Sequence, residues 1–158
     1  MRINYYKTKM VLVKENSMNY KVDDDFQVTN PKKIAQLIYE VFDLHGEMQE
    51  HFIVFCLDVK NKIIAVKTVF VGSLNRSIVH PREVFNFAIL SSSASIIIAH
   101  NHPSGGVEPS QQDVTVTKRI AEAGELLGIE LLDHIIVGNS YDESNINYLS
   151  MREEKYFS

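Results

Sequence analysis

The sequence predicts an α/β or α+β domain built on a mixed β-sheet flanked by helices. Three observations predict it. Apolar runs rich in β-branched residues recur with strand length at about 51–58, 62–73, 94–99 and 129–137. Between them lie stretches of helical spacing, opened by Asn-Pro or Ser-x-x-Asp signals and in one case closed by Gly. At 158 residues and 45% hydrophobic content, the chain suits one domain with an adequate core.

The elements follow in order. Met10-Val11-Leu12-Val13 has the pattern of a short strand. The polar stretch after it contains Asp23-Asp24-Asp25, read as a turn or solvated loop because the spaced oxygens of an EF-hand are absent. Asn30-Pro31 caps and starts a helix whose apolar face is Ile34, Leu37, Ile38, Val41 and Phe42. The strands at 51–58 and 62–73 join near Lys60-Asn61 as a hairpin. A second helix follows Pro81, with Val84, Phe85, Ala88 and Ile89 inward. Ala94–Ala99 is a buried strand ending at His100, and a long helix runs from Ser110 to about Leu127, closed by Gly128. A last strand crosses Ile129–Val137, and the polar tail from Tyr141 is expected to be loosely held. Internal repeats, low-complexity tracts and linkers are absent from the sequence.

Composition excludes several classes. A net charge of −4 does not form a nucleic-acid footprint, and the basic residues Lys7, Lys9, Lys118 and Arg119 read as solvated faces. No apolar run approaches the roughly 20 residues of a membrane span. The N-terminus lacks the apolar segment of a signal peptide. The single cysteine, Cys56, lies in an apolar strand and reads as a packed thiol of a reducing compartment, so a cytoplasmic location is expected.

The most informative stretch is residues 100–113, His-Asn-His-Pro-Ser-Gly-Gly-Val-Glu-Pro-Ser-Gln-Gln-Asp. In extended chain, side chains two apart point to one side, so His100 and His102 face one point. Pro103 pushes His102 toward extended geometry, and Gly105-Gly106 allows a sharp turn. Asp113 then falls in the first turn of the long helix, where the dipole favours an ionised carboxylate. Two neutral imidazoles and a carboxylate suit Zn²⁺, with bonds of roughly 2.0–2.2 Å. Three protein ligands leave a fourth tetrahedral position for water, whose pKa zinc lowers to about 7. Ser110-Gln111-Gln112-Asp113 equally fits a helix capping box, a purely structural device. Strand end, turn, helix start and three ligands within one short segment favour the metal site.

His100-x-His102-Pro103, six residues, then Ser110-x-x-Asp113 resembles the JAMM signature of the JAB/MPN metallopeptidases. Its flanks are similar to the bacterial RadC-like branch: Gly72-Ser73-Leu74-Asn75, Val79-His80-Pro81-Arg82-Glu83 and Leu132-Asp133-His134-Ile135-Ile136-Val137-Gly138. The resemblance implies a single JAB/MPN-like (cytidine-deaminase-like) domain over 31–150, with 1–30 as an N-terminal extension and 151–158 as a polar tail. It implies zinc held by His100, His102 and Asp113, with Ser110 donating a hydrogen bond to the bound water or the developing oxyanion. It also implies an upstream glutamate as general acid/base, matched here by Glu50. Glu50 shares strand parity with Phe52, Val54 and Cys56, and which face they take is left to the fold. Glu47 and Glu83 are rivals for the base; a glutamate in a first helical turn, as at Glu83, ordinarily compensates the dipole. RadC proteins also resemble a two-part design with a helix-hairpin-helix DNA-binding region ahead of the domain. Only about fifty residues precede Glu50 here, so the chain is expected to be a short form.

The expected function is therefore JAMM-type zinc hydrolysis of peptide or isopeptide bonds, with a peptide or protein as partner. Nucleobase deamination is a poor fit, because it needs His-x-Glu with Pro-Cys-x-x-Cys and the chain has one cysteine. An HNH nuclease is equally poor, since that name refers to dispersed residues. The alternative from another class is a non-catalytic or vestigial metal-binding module acting in DNA repair or mobile-element maintenance. Asp133 or His134 is expected near the metal loop, orienting a ligand imidazole.

Overall fold

The computed structural model describes residues 28, 30–44, 47–72, 79–139 and 145–158. The readings at Met10–Val13, Asp23–Asp25 and residues 73–78 lie outside these. Helix α1, Pro31–Leu37, starts where the Asn30 side chain accepts from Lys32 N at 2.8 Å, and one wider π turn, Ile38–Phe42, extends it. The other elements are β1 (Glu50–Leu57), β2 (Ile63–Gly72), α2 (Pro81–Leu90), β3 (Ser95–Asn101), α3 (Gln111–Leu127), β4 (Glu130–Val137) and β5 (Tyr148–Ser150). Among the described residues the sheet order is β2-β1-β3-β4-β5, and only β3 and β4 are parallel. The α/β or α+β expectation holds as α+β: a mixed five-stranded sheet with helices on both faces.

β3 is the central strand, and all of its residues are buried. Burying Ile96, Ile97 and Ile98 stabilises the fold by about 1.5–3 kcal/mol per side chain relative to exposure. Strand alternation sorts the core into two halves. Ile53, Phe55, Leu57, Ile97 and Ala99 pack toward α1, while Phe52, Val54, Cys56, Ile96 and Ile98 pack toward α2 and α3. Glu50, at even spacing from Phe52, belongs to the α3 face.

Two sequence expectations change, and β4 adds a feature the sequence did not announce. In α2 the buried residues are Val84, Phe85, Phe87 and Ala88, whereas Ile89 is 46% exposed; the apolar stripe is rotated by about one residue, because helix spacing alone does not fix which edge of a stripe the sheet covers. Of the tail expected to be loose, residues 141–144 lie outside the described residues, but Tyr148–Ser150 pairs as β5 with β4 and Met151 is completely buried. A three-residue strand has no period to read, and what holds it is long-range: the Asp133 carboxylate accepts from Ser150 Oγ at 2.6 Å and from Arg152 N at 3.1 Å. Finally, β4 carries a bulge. Leu131 pairs with Ile96 but Asp133 pairs with Ile97, so Leu132 is an extra residue and the parity of β4 switches after it.

Candidate metal centre

The end of β3 sets the first donor. His100 lies opposite Phe52 of β1 and Ile136 of β4, fully buried, its ring stacked on Phe52 with centroids 6.1 Å apart. His102 lies beyond β3, yet its N–H donates to Val137 O at 2.9 Å, which prolongs the ladder and keeps it on the His100 side. The turn that follows is built against the end of β4. A Cβ on Gly138 would stand 2.3 Å from Gly105 O, so only glycine admits this approach. Asn147 Nδ2 donates to that same carbonyl at 3.0 Å, and the Tyr39 hydroxyl donates to Gly138 O.

The third donor comes from α3. The capping box is present, and it leaves the same carboxylate facing the two histidines. Ser110 caps the helix, accepting from Asp113 N at 3.1 Å, while its own N–H and Oγ–H donate to Asp113 Oδ2 at 2.7 and 2.6 Å. The capped carboxylate is only 2% exposed and faces both imidazoles. Its Oδ1 is 3.4 Å from His100 Nε2 and its Oδ2 3.5 Å from His102 Nε2, with the two ring nitrogens 2.9 Å apart. One ligand atom from each residue thus lies within 4.8 Å of the others.

The donor chemistry fits a cation. His102 Nδ1 stands 3.1 Å from Gly106 O; a carbonyl only accepts, so Nδ1 carries hydrogen and a neutral His102 turns its Nε2 lone pair inward. Two imidazole nitrogens and a carboxylate form a borderline set suited to zinc. Electrostatics keep His100 neutral and Asp113 ionised, but favour the proton on His102. Burial drops His100 to about 4 despite the attraction of Asp113. Burial opposes the Asp113 charge, but the His102 hydrogen bond, the charge of His100 and the Ser110 donors outweigh it and hold the carboxyl well below the usual range. Burial also lowers His102, yet Asp113, the Gly106 carbonyl and Glu50 together hold it above the ordinary imidazole value.

His102 and Asp113, with His100 buried behind them, open on a cleft of about 540 Å³ lined by Glu50, Gly72, Ser104 and Ser110 among others. Glu50 and Ser110 therefore lie on the same cavity as His102 and Asp113. The rivals do not. Glu47 faces His51 at 3.6 Å, Glu83 pairs with Arg82 at 3.1 Å in the first turn of α2, and neither lines the cleft. A larger cleft of about 730 Å³ lies behind α3, near Lys118, Glu125 and Phe157, and holds none of the three donors.

Sequence reasoning missed two supporting residues. Asn101, between the histidines, points to the opposite side of β3 and clamps the start of β1. Thr117, buried one turn after Asp113, contacts His134 Nδ1 at 2.6 Å, and His134 Nε2 contacts His100 Nδ1 at 2.7 Å. The i, i+4 spacing from Asp113 to Thr117 was the one available signal. Of the pair expected near the metal loop, His134 reaches it; Asp133 is occupied by His134 N, Ser150 and Arg152.

A mixed-sheet α+β domain with two imidazoles and a carboxylate gathered at one cleft defines a JAB-type domain able to hold a metal ion. The chain belongs to the RadC-like JAB domain family, whose model matches residues 28–156. It is 51% identical over 131 residues to a UPF0758 protein of Shouchella clausii, covering 83% of this chain and 54% of that protein. It is 50% identical over 132 residues to a UPF0758 protein of Enterococcus faecalis, covering 84% and 53%. A UPF0758 protein of Clostridium kluyveri is 48% identical over 136 residues, covering 86% and 56%. The chain thus spans about half the length of the curated relatives it matches. Among the described residues, no helix is long and apolar enough to cross a membrane.

Proposed function

We propose that this domain is a zinc-dependent hydrolase of amide bonds, peptide or isopeptide. The observation that carries the reading is the convergence of His100, His102 and Asp113 at the edge of a cleft that His102, Asp113 and Glu50 line. His100 Nε2, His102 Nε2 and the Asp113 carboxylate would hold the metal. Three protein donors suit an open, catalytic site, since structural zinc sites are normally closed by four. When bound, zinc supplies a Lewis acid and a water activated near neutral pH.

The chain's own residues do the rest. Glu50 takes a proton at its carboxylate and returns it to the leaving amine nitrogen. Ser110 orients Asp113 through two hydrogen bonds, and turning its hydroxyl hydrogen toward a substrate oxygen makes it an oxyanion donor. Phe52 and the buried walls of β3 exclude water from the far side of the donors, which strengthens charge interactions at the cleft.

The test is metal content by mass spectrometry on chelator-free protein, beside His102→Ala, followed by a peptide and isopeptide hydrolysis screen. About one zinc per chain, lost in the variant, with turnover in the screen is the expected result. No uptake when zinc is offered overturns the reading. Bound zinc without hydrolysis, but with salt-sensitive DNA binding, would favour a metal-binding module acting in DNA repair or mobile-element maintenance instead.

A further inference from the structure

Behind the donors lies a buried polar chain for which a hydrophobic core has no ordinary use. Thr117 and His134 are both fully buried, in the core half that also holds Val116 and Ile120. Their hydrogen bonds have directions that can be worked out. Thr117 Oγ1 lies 2.6 Å from the backbone carbonyl of Asp113, which only accepts, so the hydroxyl hydrogen goes there. The weakly accepting Met151 Sδ at 3.4 Å does not compete. Thr117 must then accept at its other contact, so His134 Nδ1 carries a hydrogen. A fully buried imidazole stays neutral unless a carboxylate faces it. The two nitrogens of His134 face a hydroxyl and another imidazole. His134 Nε2 is therefore a bare lone pair and accepts from His100 Nδ1–H at 2.7 Å.

We propose that Thr117 and His134 are positioning residues that fix His100 in the Nδ1–H tautomer and so keep its Nε2 lone pair turned to the metal. The inference rests on the reading that His100, His102 and Asp113 bind a divalent cation. The chain starts at the Asp113 backbone and ends at His100, so two ligands from different elements are tied together independently of the metal. The bulge at Leu132 makes this possible. Without that extra residue His134 would face α1; with it, His134 pairs with Ile98 and shares the His100 face.

The experiment combines two measurements on the whole chain. Long-range ¹H–¹⁵N NMR of the metal-free protein reads the tautomers of His100 and His134. Competition with a chromophoric chelator reads zinc affinity in wild type, Thr117→Val, Thr117→Ser and His134→Asn, with thermal melts to verify folding. The expected result is Nδ1–H on both histidines, zinc binding weakened about 10- to 100-fold in Thr117→Val, and recovery in Thr117→Ser, which restores the hydroxyl. His134→Asn is the second variant should Thr117→Val fail to fold, and the same loss is expected. Nε2–H on His100 overturns the proposal, as does zinc affinity unchanged in folded Thr117→Val or His134→Asn. Wild-type protein that takes up no zinc overturns the metal reading itself; wild-type binding that these variants leave untouched overturns the positioning role alone.

Discussion

Asn101 accepts from His51 N at 2.7 Å and, through its Nδ2, donates to Gln49 O at 3.0 Å. The residue between the two histidines thus grips the backbone on both sides of Glu50. Asn101 is 2% exposed, so removing its amide leaves that backbone without its partners. Asn101→Ala is expected to cost about 1–3 kcal/mol in urea unfolding. It should also lower hydrolytic turnover more than zinc affinity, because β1 and not the donor set is released. Equal losses in the two would show that Asn101 serves the metal loop instead.

Glu50→Gln keeps size and polarity but cannot take up a proton. Full zinc stoichiometry with turnover reduced by about 10²–10⁴ is expected. Paired metal analysis and single-substrate kinetics decide it. Retained activity would remove Glu50 from the chemistry.

At the proposed site, zinc would compete with protons for His102 before His100. His102 is held above the ordinary imidazole value while burial keeps His100 neutral down to about 4. Zinc affinity should therefore be level above the raised His102 value and fall tenfold per pH unit below it, one proton being displaced. Calorimetry in buffers of different ionisation enthalpy counts that proton. An affinity that stays flat from pH 8 to 5.5 would contradict the assignment.

The metal-free protein should weaken in mild acid. Unfolded imidazoles protonate near 6.5, but folded His100 does so only at about 4 and folded His134 well below its ordinary value. The unfolded state binds more protons in that window, so stability is present above 6.5 and is lost as pH falls through the folded values. For His100 alone the effect is on the order of 3 kcal/mol. His102 acts oppositely, its contribution being present in acid and lost as pH rises through its raised value. Two lowered groups against one raised predict a urea midpoint that drops between pH 7 and 4.5; a rising midpoint would contradict the buried neutral imidazoles.

Gly138→Ala tests the seat of the metal loop. Its Cβ would meet the Gly105 carbonyl at 2.3 Å, and backbone must move. Both the melting temperature and zinc affinity are expected to fall, the second because Gly106 O and His102 ride on that turn. A variant with native affinity would show that the loop adapts.

The sequence by itself determined the donors and the elements that carry them. His100 and His102 share a side because strand alternation is local, and Asp113 follows three residues after a serine cap because helix starts are local. Long periodic segments such as Gln111–Leu127 were legible for the same reason. Only the tertiary structure decided what depends on neighbours distant in the chain. The face taken by Glu50 is set by the pairing of Phe52 with His100, and the tail is fixed by Asp133 across β4 and β5. His134 turns toward His100 because of one unpaired residue in β4, a bulge that leaves no periodic trace in an apolar strand. Register and bulges are chosen by the whole sheet packing against its helices, so a local pattern names the candidate ligands but cannot show what holds them in place.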